Sequence, residues 1–305
     1  MALKDRIAFG MSLPHRSPDA LDTVAVRAVA QRAEALGFQD LWVTENTLDH
    51  VMCLDPVVAL TYAAAVTSSI RLGASVVVLA VHSPMMVAHQ WATLDYLSQG
   101  RAILGVGLGR EHHYREFVVP EEGRVRRFRE AVDVIRLLWT RDRTTYRGRF
   151  YQLEDATMSP KPAQRPLPIW MGVGHPNAIR RAANMADGWM GSGGSSIDEF
   201  RRSVPLLRES LVEAGRDVAK FPVSKRIFIA VDERPELARA ELNRWFTDVY
   251  HNPPGTDASG IHGTPEHVRE RLEEVAAMGP SHLLLNPVSC YQEQLEALAE
   301  IVGLK

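Results

Sequence analysis

Short apolar runs alternate along the chain with longer segments whose apolar positions recur at helical spacing. The stretch from Arg71 to Gly109 carries the pattern most clearly. A near-continuous apolar run from Leu72 to about Leu79 predicts a strand buried on both faces. Ser83-Pro84 predicts a helix start, with serine as N-cap and proline at the first helical position, where its missing N–H costs nothing. That helix reaches about Leu97, Gly100 stops it, and a second buried strand, Ala102 to Val106, runs on into Gly107 and Gly109. The result is a β-α-β unit, the building block of a parallel sheet.

The same alternation fills the rest of the chain. Ile7 to Met11 predicts the first strand, and Ser17-Pro18 opens a helix that Gly37 caps after Leu36. Leu41 to Thr44 is the second strand, and Asp55-Pro56 opens a helix ending near Thr67. Residues 110–123 read as a polar loop, and Val125 to Trp139 as a helix with Phe128, Val132, Ile135 and Leu138 on one face. Thr144 to Leu153 reads as a small hairpin turning at Gly148. The proline-rich segment Ser159 to Pro168 suits a linker between domains or an extended lead into a fifth strand, Ile169 to Met171; the prompt return of strand-helix alternation favours the lead. Helices Pro176 to Met185, Ile197 to Ala214 and Pro235 to Tyr250 then follow the fifth strand and strands Gly188 to Met190 and Ser224 to Val231. A loop with Pro253, Pro254, Gly255 and Gly260 precedes a helix opened by Thr264-Pro265, then strand His282 to Asn286 and a last helix, Tyr291 to Ile301. Eight strands, each followed by a helix, predict an α/β fold, a (β/α)8 barrel with loop insertions at its C-terminal face, and one domain over residues 1–305.

Composition acts mainly by exclusion. A net charge of -2 gives no electrostatic footprint for nucleic acid or an anionic membrane. Arg124, Arg126, Arg127 and Arg129 cluster, but Glu121, Glu122 and Glu130 interleave with them, as on a solvated helix face. Two cysteines, Cys53 and Cys290, are too few for a disulfide framework or a structural zinc site. No signal-peptide pattern opens the chain and no apolar run is long enough to span a bilayer, so a soluble cytoplasmic protein is expected. The chain has no H-E-x-x-H pair for a metal and no G-x-S-x-G elbow for a hydrolase.

In such a barrel the chemistry sits on the loops that follow the strands. Gly172-Val173-Gly174-His175-Pro176 joins a strand to a helix N-terminus, where backbone N–H groups can approach a phosphate; Gly191, Ser192 and Gly193 follow the next strand. Tight turns without a ligand would look the same. Glu45, Asn46, Asp49 and His50 follow the second strand, His82 the third, and His112, His113 and Tyr114 the fourth.

The strand end Gly73-Ala74-Ser75-Val76, the Ser83-Pro84 start, Ala92 to Asp95, the Ser98/Gly100/Arg101 turn and Gly105-Val106-Gly107-Leu108-Gly109 together resemble the bacterial luciferase-like flavin and deazaflavin oxidoreductases. The resemblance implies a (β/α)8 barrel, often dimeric. It implies a non-proline cis peptide at Ser75-Val76 behind a flavin-like ring, with Gly107 nearby, and a tail phosphate held by Gly172, Val173, Gly174, His175, Gly191, Ser192 and Gly193. Many relatives carry a histidine where Asn46 stands, and asparagine cannot shuttle a proton at neutral pH. Candidate catalytic residues are therefore Glu45, Asn46, His82 and His113. The segment Trp42 to Asn46 favours coenzyme F-420, hence hydride transfer with a small organic substrate. FMN, with a two-component monooxygenase reaction fed by a flavin reductase, is the alternative. A non-catalytic flavin-binding barrel is a further one.

Overall fold

The computed structural model describes residues 2–250 and 256–305. Eight parallel strands close into a barrel: β1 (Ala8–Ser12), β2 (Asp40–Val43), β3 (Arg71–Ala74), β4 (Ala102–Gly107), β5 (Ile169–Gly172), β6 (Gly188–Gly191), β7 (Val223–Val231) and β8 (His282–Pro287). Each pairs with the next, and β8 returns to β1. Around it lie α1 (Thr23–Leu36), α2 (Pro56–Val66), α3 (Pro84–Leu97), α4 (Glu111–Glu116), α5 (Arg124–Thr140), α6 (Pro176–Met185), α7 (Ile197–Glu213), α8 (Pro235–Tyr250), α9 (Pro265–Ala276) and α10 (Tyr291–Val302). Among the described residues no helix is long and apolar enough to cross a membrane.

Three apolar clusters hold this arrangement, one of them packing Phe228 of β7 against Leu242, Trp245 and Phe246 of α8. The largest joins the outward faces of the strands to the helices. The smallest fills the barrel itself with Trp42, Ile103, Trp170, Met190 and Leu284. Trp42 and Trp170 meet at 5.4 Å between ring centroids. They fit because neighbouring strands offer glycine: a Cβ at Gly73 would stand 2.5 Å from the Trp42 ring, and one at Gly188 2.6 Å from the Trp170 indole nitrogen. Beneath them Asp40 is fully buried and accepts from Trp42 Nε1 at 2.5 Å, Arg71 Nη2 at 2.7 Å and His282 Nε2 at 2.8 Å. Burial would raise the Asp40 carboxyl, but the charges of His282 and Arg71 and these donors outweigh it and lower it to about 2. His282 Nδ1 faces Ser224 Oγ at 2.7 Å.

The structure departs from the sequence pattern in five places. The third strand is not continuous to Leu79: Ser75-Val76 is cis, pairing resumes only at Val77–Val78, and a 3-10 turn, Leu79–Val81, follows. Hydrophobicity reported burial there and not ladder pairing. Helix α1 starts at Thr23, with Asp22 Oδ1 accepting the Val24 N–H at 2.9 Å. Ser17 instead forms a short antiparallel bridge with Met52. Ser83 does stand at the N-cap of α3, but its side chain makes no cap bond. The expected loop 110–123 contains α4. Gly260–Gly263 is a strand, paired with the distal half of β7 from Phe228 to Val231. Pro253, Pro254 and Gly255 lie outside the described residues.

At the barrel mouth the Val76 side chain takes the place of two missing side chains. A Cβ at Gly107 would stand 2.5 Å from Val76 Cγ2, and one at Gly172 2.5 Å from Val76 Cγ1. By contrast, a Cβ at Gly174 would meet nothing within 4 Å. Gly107→Ala is therefore expected to lower stability by about 1–3 kcal/mol through overpacking. Gly174→Ala should change it by no more than about 0.5 kcal/mol, as at an open surface position. Urea unfolding of the two variants checks both.

Candidate active site

A cavity of about 880 Å³ opens at the carboxyl ends of the strands. Of the residues singled out from the sequence, Glu45, Asn46, Ser75, Val76, Gly107, His113, Gly172, Val173, Gly174, His175 and Ser192 line it. Four stand elsewhere, Tyr114 among them. His82 lies behind Glu45, off the cavity wall. Gly191 packs against Phe200 and the Lys225 stem, and Gly193 against the Arg226 stem, so both shape the loop after β6 from behind Ser192.

Glu45 stands two residues beyond the end of β2 and is buried. Its Oε2 accepts the Val78 N–H at 2.6 Å, its Oε1 faces His82 Nε2 at 2.5 Å, and the Thr47 hydroxyl donates to Oε1 at 3.2 Å. Burial alone would raise this carboxyl; the His82 ring, the Val78 amide and Thr47 outweigh it and hold Glu45 below its ordinary value. The pairing also depends on the interruption of β3, because Val78 sits just beyond it. At neutral pH Glu45 is a hydrogen-bond acceptor.

Asn46 Nδ2 donates to Thr44 Oγ1 at 3.2 Å. Thr44 in turn meets His15 Nε2 with both its N–H and its hydroxyl, each at 2.8 Å. The other ring nitrogen, His15 Nδ1, is 2.7 Å from the Leu13 carbonyl. Since Nε2 accepts the Thr44 amide, the proton sits on Nδ1 and is donated to Leu13. Burial, and then the nearby Arg226 and Arg16 charges, lower the ring to about 3, so it stays neutral. His15 thus orients Asn46 through Thr44.

After β4, two strands on from β2, α4 carries His112 and His113, whose rings lie 4.0 Å apart. His113 Nδ1 accepts the Arg110 N–H at 3.0 Å, which puts the proton of the neutral ring on Nε2. Burial, and then His112, lower its affinity for a second proton. Tyr114 is turned away: its hydroxyl donates to the Leu108 carbonyl at 2.5 Å, and burial raises it to about 12.

Sequence reasoning missed four residues: His15, Arg16, Lys225 and Arg226. Lys225 is fully buried on β7, and its Nζ donates to Ser192 O at 2.5 Å, Ser195 O at 2.9 Å and Ser195 Oγ at 3.0 Å. Burial lowers it to about 7. It fastens the loop after β6 from outside the barrel. A Lys-Arg pair inside a strand that is otherwise largely apolar was the available signal, since buried cations need partners.

A family profile described as luciferase-like monooxygenase matches residues 7–258. The chain belongs to that family. An F-420-dependent glucose-6-phosphate dehydrogenase of Kineococcus radiotolerans is 34% identical over 225 residues, 71% of this chain and 66% of that protein. The chain therefore spans slightly less than two thirds of that relative. An F-420-dependent secondary alcohol dehydrogenase, solved with an F-420-acetone adduct, aligns with TM-score 0.86 at 20% identity, covering 98% of this chain and 99% of that one. A monooxygenase from Streptomyces bottropensis aligns with TM-score 0.84 at 22% identity, covering 97% and 98%. At those identities the two structures share the fold.

His82→Ala leaves Glu45 Oε1 with Thr47 alone. A cost of about 1–3 kcal/mol is expected for the buried oxygen that loses its partner. Because the folded Glu45 carboxyl lies below its unfolded value, its contribution is full above the unfolded value and fades as pH falls through the folded one. Removing the ring raises the folded value towards the unfolded one, so the variant should lose less stability than the parent as pH falls, and the gap between the two should narrow in acid. Thermal melts across the acid range check this.

Proposed function

We propose that this enzyme uses coenzyme F-420 for hydride transfer to or from a small organic substrate. The observation that carries the reading is the cavity wall itself. Val76, seated over Gly107 and Gly172, presents a close-packed apolar surface of the kind a planar ring needs at its back. Beside it, the Gly174-His175 turn leads into α6, whose dipole favours an anion, while the first helical amides are taken within the turn: Pro176 has none, and the Asn177 and Ala178 N–H groups donate to His175. The space left open at Gly174 lets a phosphate-bearing tail come close. The 34% identical relative is named for F-420, which supports this coenzyme over FMN.

When bound, F-420 supplies the carbon that carries the hydride and does not activate oxygen. Ser75 and Val76 would back the ring. Gly172, Val173, Gly174, His175 and Ser192 would hold the tail, with Lys225 fixing the Ser192 carbonyl. Asn46, oriented by Thr44 and His15, would offer hydrogen bonds on the reacting side. Glu45, ionised and braced by His82, would orient polar groups and not donate a proton. His113 would move the proton at Nε2, because its Nδ1 is committed to Arg110. His82 in this reading is a positioning residue. An F-420 reductase, or a flavin reductase in the FMN reading, is the partner expected to supply reduced cofactor.

Cofactor-stripped enzyme is expected to bind F-420 at micromolar concentration, followed by fluorescence quenching, and FMN at least about tenfold more weakly, about 1.4 kcal/mol. Tight FMN binding alone would replace this reading with the FMN monooxygenase. Binding of neither would remove the redox reading of the cavity.

A homodimer is the proposed assembly. Met85 and Met86 of α3 are exposed, as are Val58 and Tyr62 of α2 and Tyr96 and Leu97 at the end of α3, whereas Val87 and Trp91 belong to the core. Met86→Glu, on this exposed face, is expected to shift the species seen by sedimentation towards monomer.

A further inference from the structure

We infer that the substrate carries an anionic group, a carboxylate or a phosphate, and that Arg16 and Arg226 receive it. This rests on the cavity being the redox site. Arg226 lies on β7 and Arg16 follows β1; β8 runs between those two strands, and its Asn286 lies between the two arginines in the barrel order. Both arginines line the cavity, and both are only 6% exposed.

The charges there do not balance. Arg226 donates from Nε at 2.8 Å and from Nη2 at 2.5 Å to one neutral oxygen, Asn286 Oδ1. Its guanidinium carbon stands 4.7 Å over the Phe228 ring. No carboxylate pairs with it among the described residues. Arg16 is paired with Asp49 through Nη2, but its Nε is buried without a hydrogen-bond partner. Asp49 also meets His50 Nδ1 at 2.9 Å, so its charge is shared. Glu45 is engaged by His82 and Val78. Two buried guanidinium groups thus face one shared carboxylate on the wall of an open cavity.

A buried unpaired cation is costly, and an aromatic face returns only part of that cost. Burial, and the charge of Arg16 besides, lower the Arg226 proton affinity, so the two cations act on each other. A planar or tetrahedral oxyanion between them would supply the missing charge and an acceptor for Arg16 Nε, and arginine suits such groups by its fork of donors. The Lys-Arg pair of β7 divides the work. Lys225 spends its donors on the loop after β6, whereas Arg226 faces the cavity. The arginine pair lies on the β7-β8-β1 arc, while the α6 N-terminus proposed for the cofactor tail follows β5. The two anion sites therefore belong to different groups.

The test is calorimetric titration of the full chain with inorganic phosphate and with acetate, each with and without saturating F-420. Parent, Arg226→Gln and Arg16→Gln are compared after circular dichroism confirms that each variant is folded. The parent is expected to bind at least one of the two anions with F-420 present, and each variant at least tenfold more weakly, with F-420 affinity changed less than twofold. Equal anion affinity in parent and variants overturns the inference, as does failure of both anions to bind. A parallel loss of F-420 affinity assigns the pair to the cofactor tail and also overturns it. If F-420 does not bind the parent but the variants still lose phosphate in its absence, the cofactor reading fails and the anion site stands.

Discussion

The interior of a closed eight-stranded barrel has a fixed volume, and every large side chain inside it must be matched by an absent one. Trp42 and Trp170 occupy the lower part because Gly73 and Gly188 leave them room. Val76 occupies the mouth because Gly107 and Gly172 do the same. The second match decides where the cavity begins. Beyond it Val77–Val78 rejoins β4, and the Val78 N–H meets Glu45 Oε2. Packing at interior density makes such matches close to all-or-none.

Electrostatics follows the same division between floor and mouth. At the floor Asp40 meets Arg71 and His282, and Arg101 donates to the carbonyls of Ala64, Ile70 and Ser98, while Arg71 Nε is buried without a partner. At the mouth Glu45 is paired, Lys225 is fully engaged with a loop, and Arg226 holds only a neutral amide. The floor carboxylate Asp40 is met by two cationic partners, whereas at the mouth Arg226 meets no carboxylate among the described residues.

Much of the fold was legible in the chain, and so was half of the site. The motif that carried the family resemblance turns out to be partly structural. Asp95 accepts from the Ala102 N–H and from Gln164, and Arg101 clasps the loop after α2, both away from the cavity. Residues that hold the barrel together identify the fold and say little about the substrate. Glu45, Asn46 and the Gly172–His175 turn were readable because strand ends in a barrel point to one mouth. His82 meets the mouth through Glu45; sequence order gives the strand end and not the direction of the ring. Arg16 was passed over because it lies in a turn that the pattern assigned to a helix approach.

The sequence by itself determined the strand-helix alternation, and with it the barrel and the rim on which chemistry must sit, because periodicity and turn residues act locally. It could also locate Ser75-Val76, through resemblance to a family. Only the tertiary structure decided which charges meet. Arg16 and Arg226 are 210 positions apart, and no local rule relates them. They come together because β1 and β7 are both neighbours of β8 in a sheet that closes on itself. Closure is a property of the whole chain, and so is the uncompensated charge it creates.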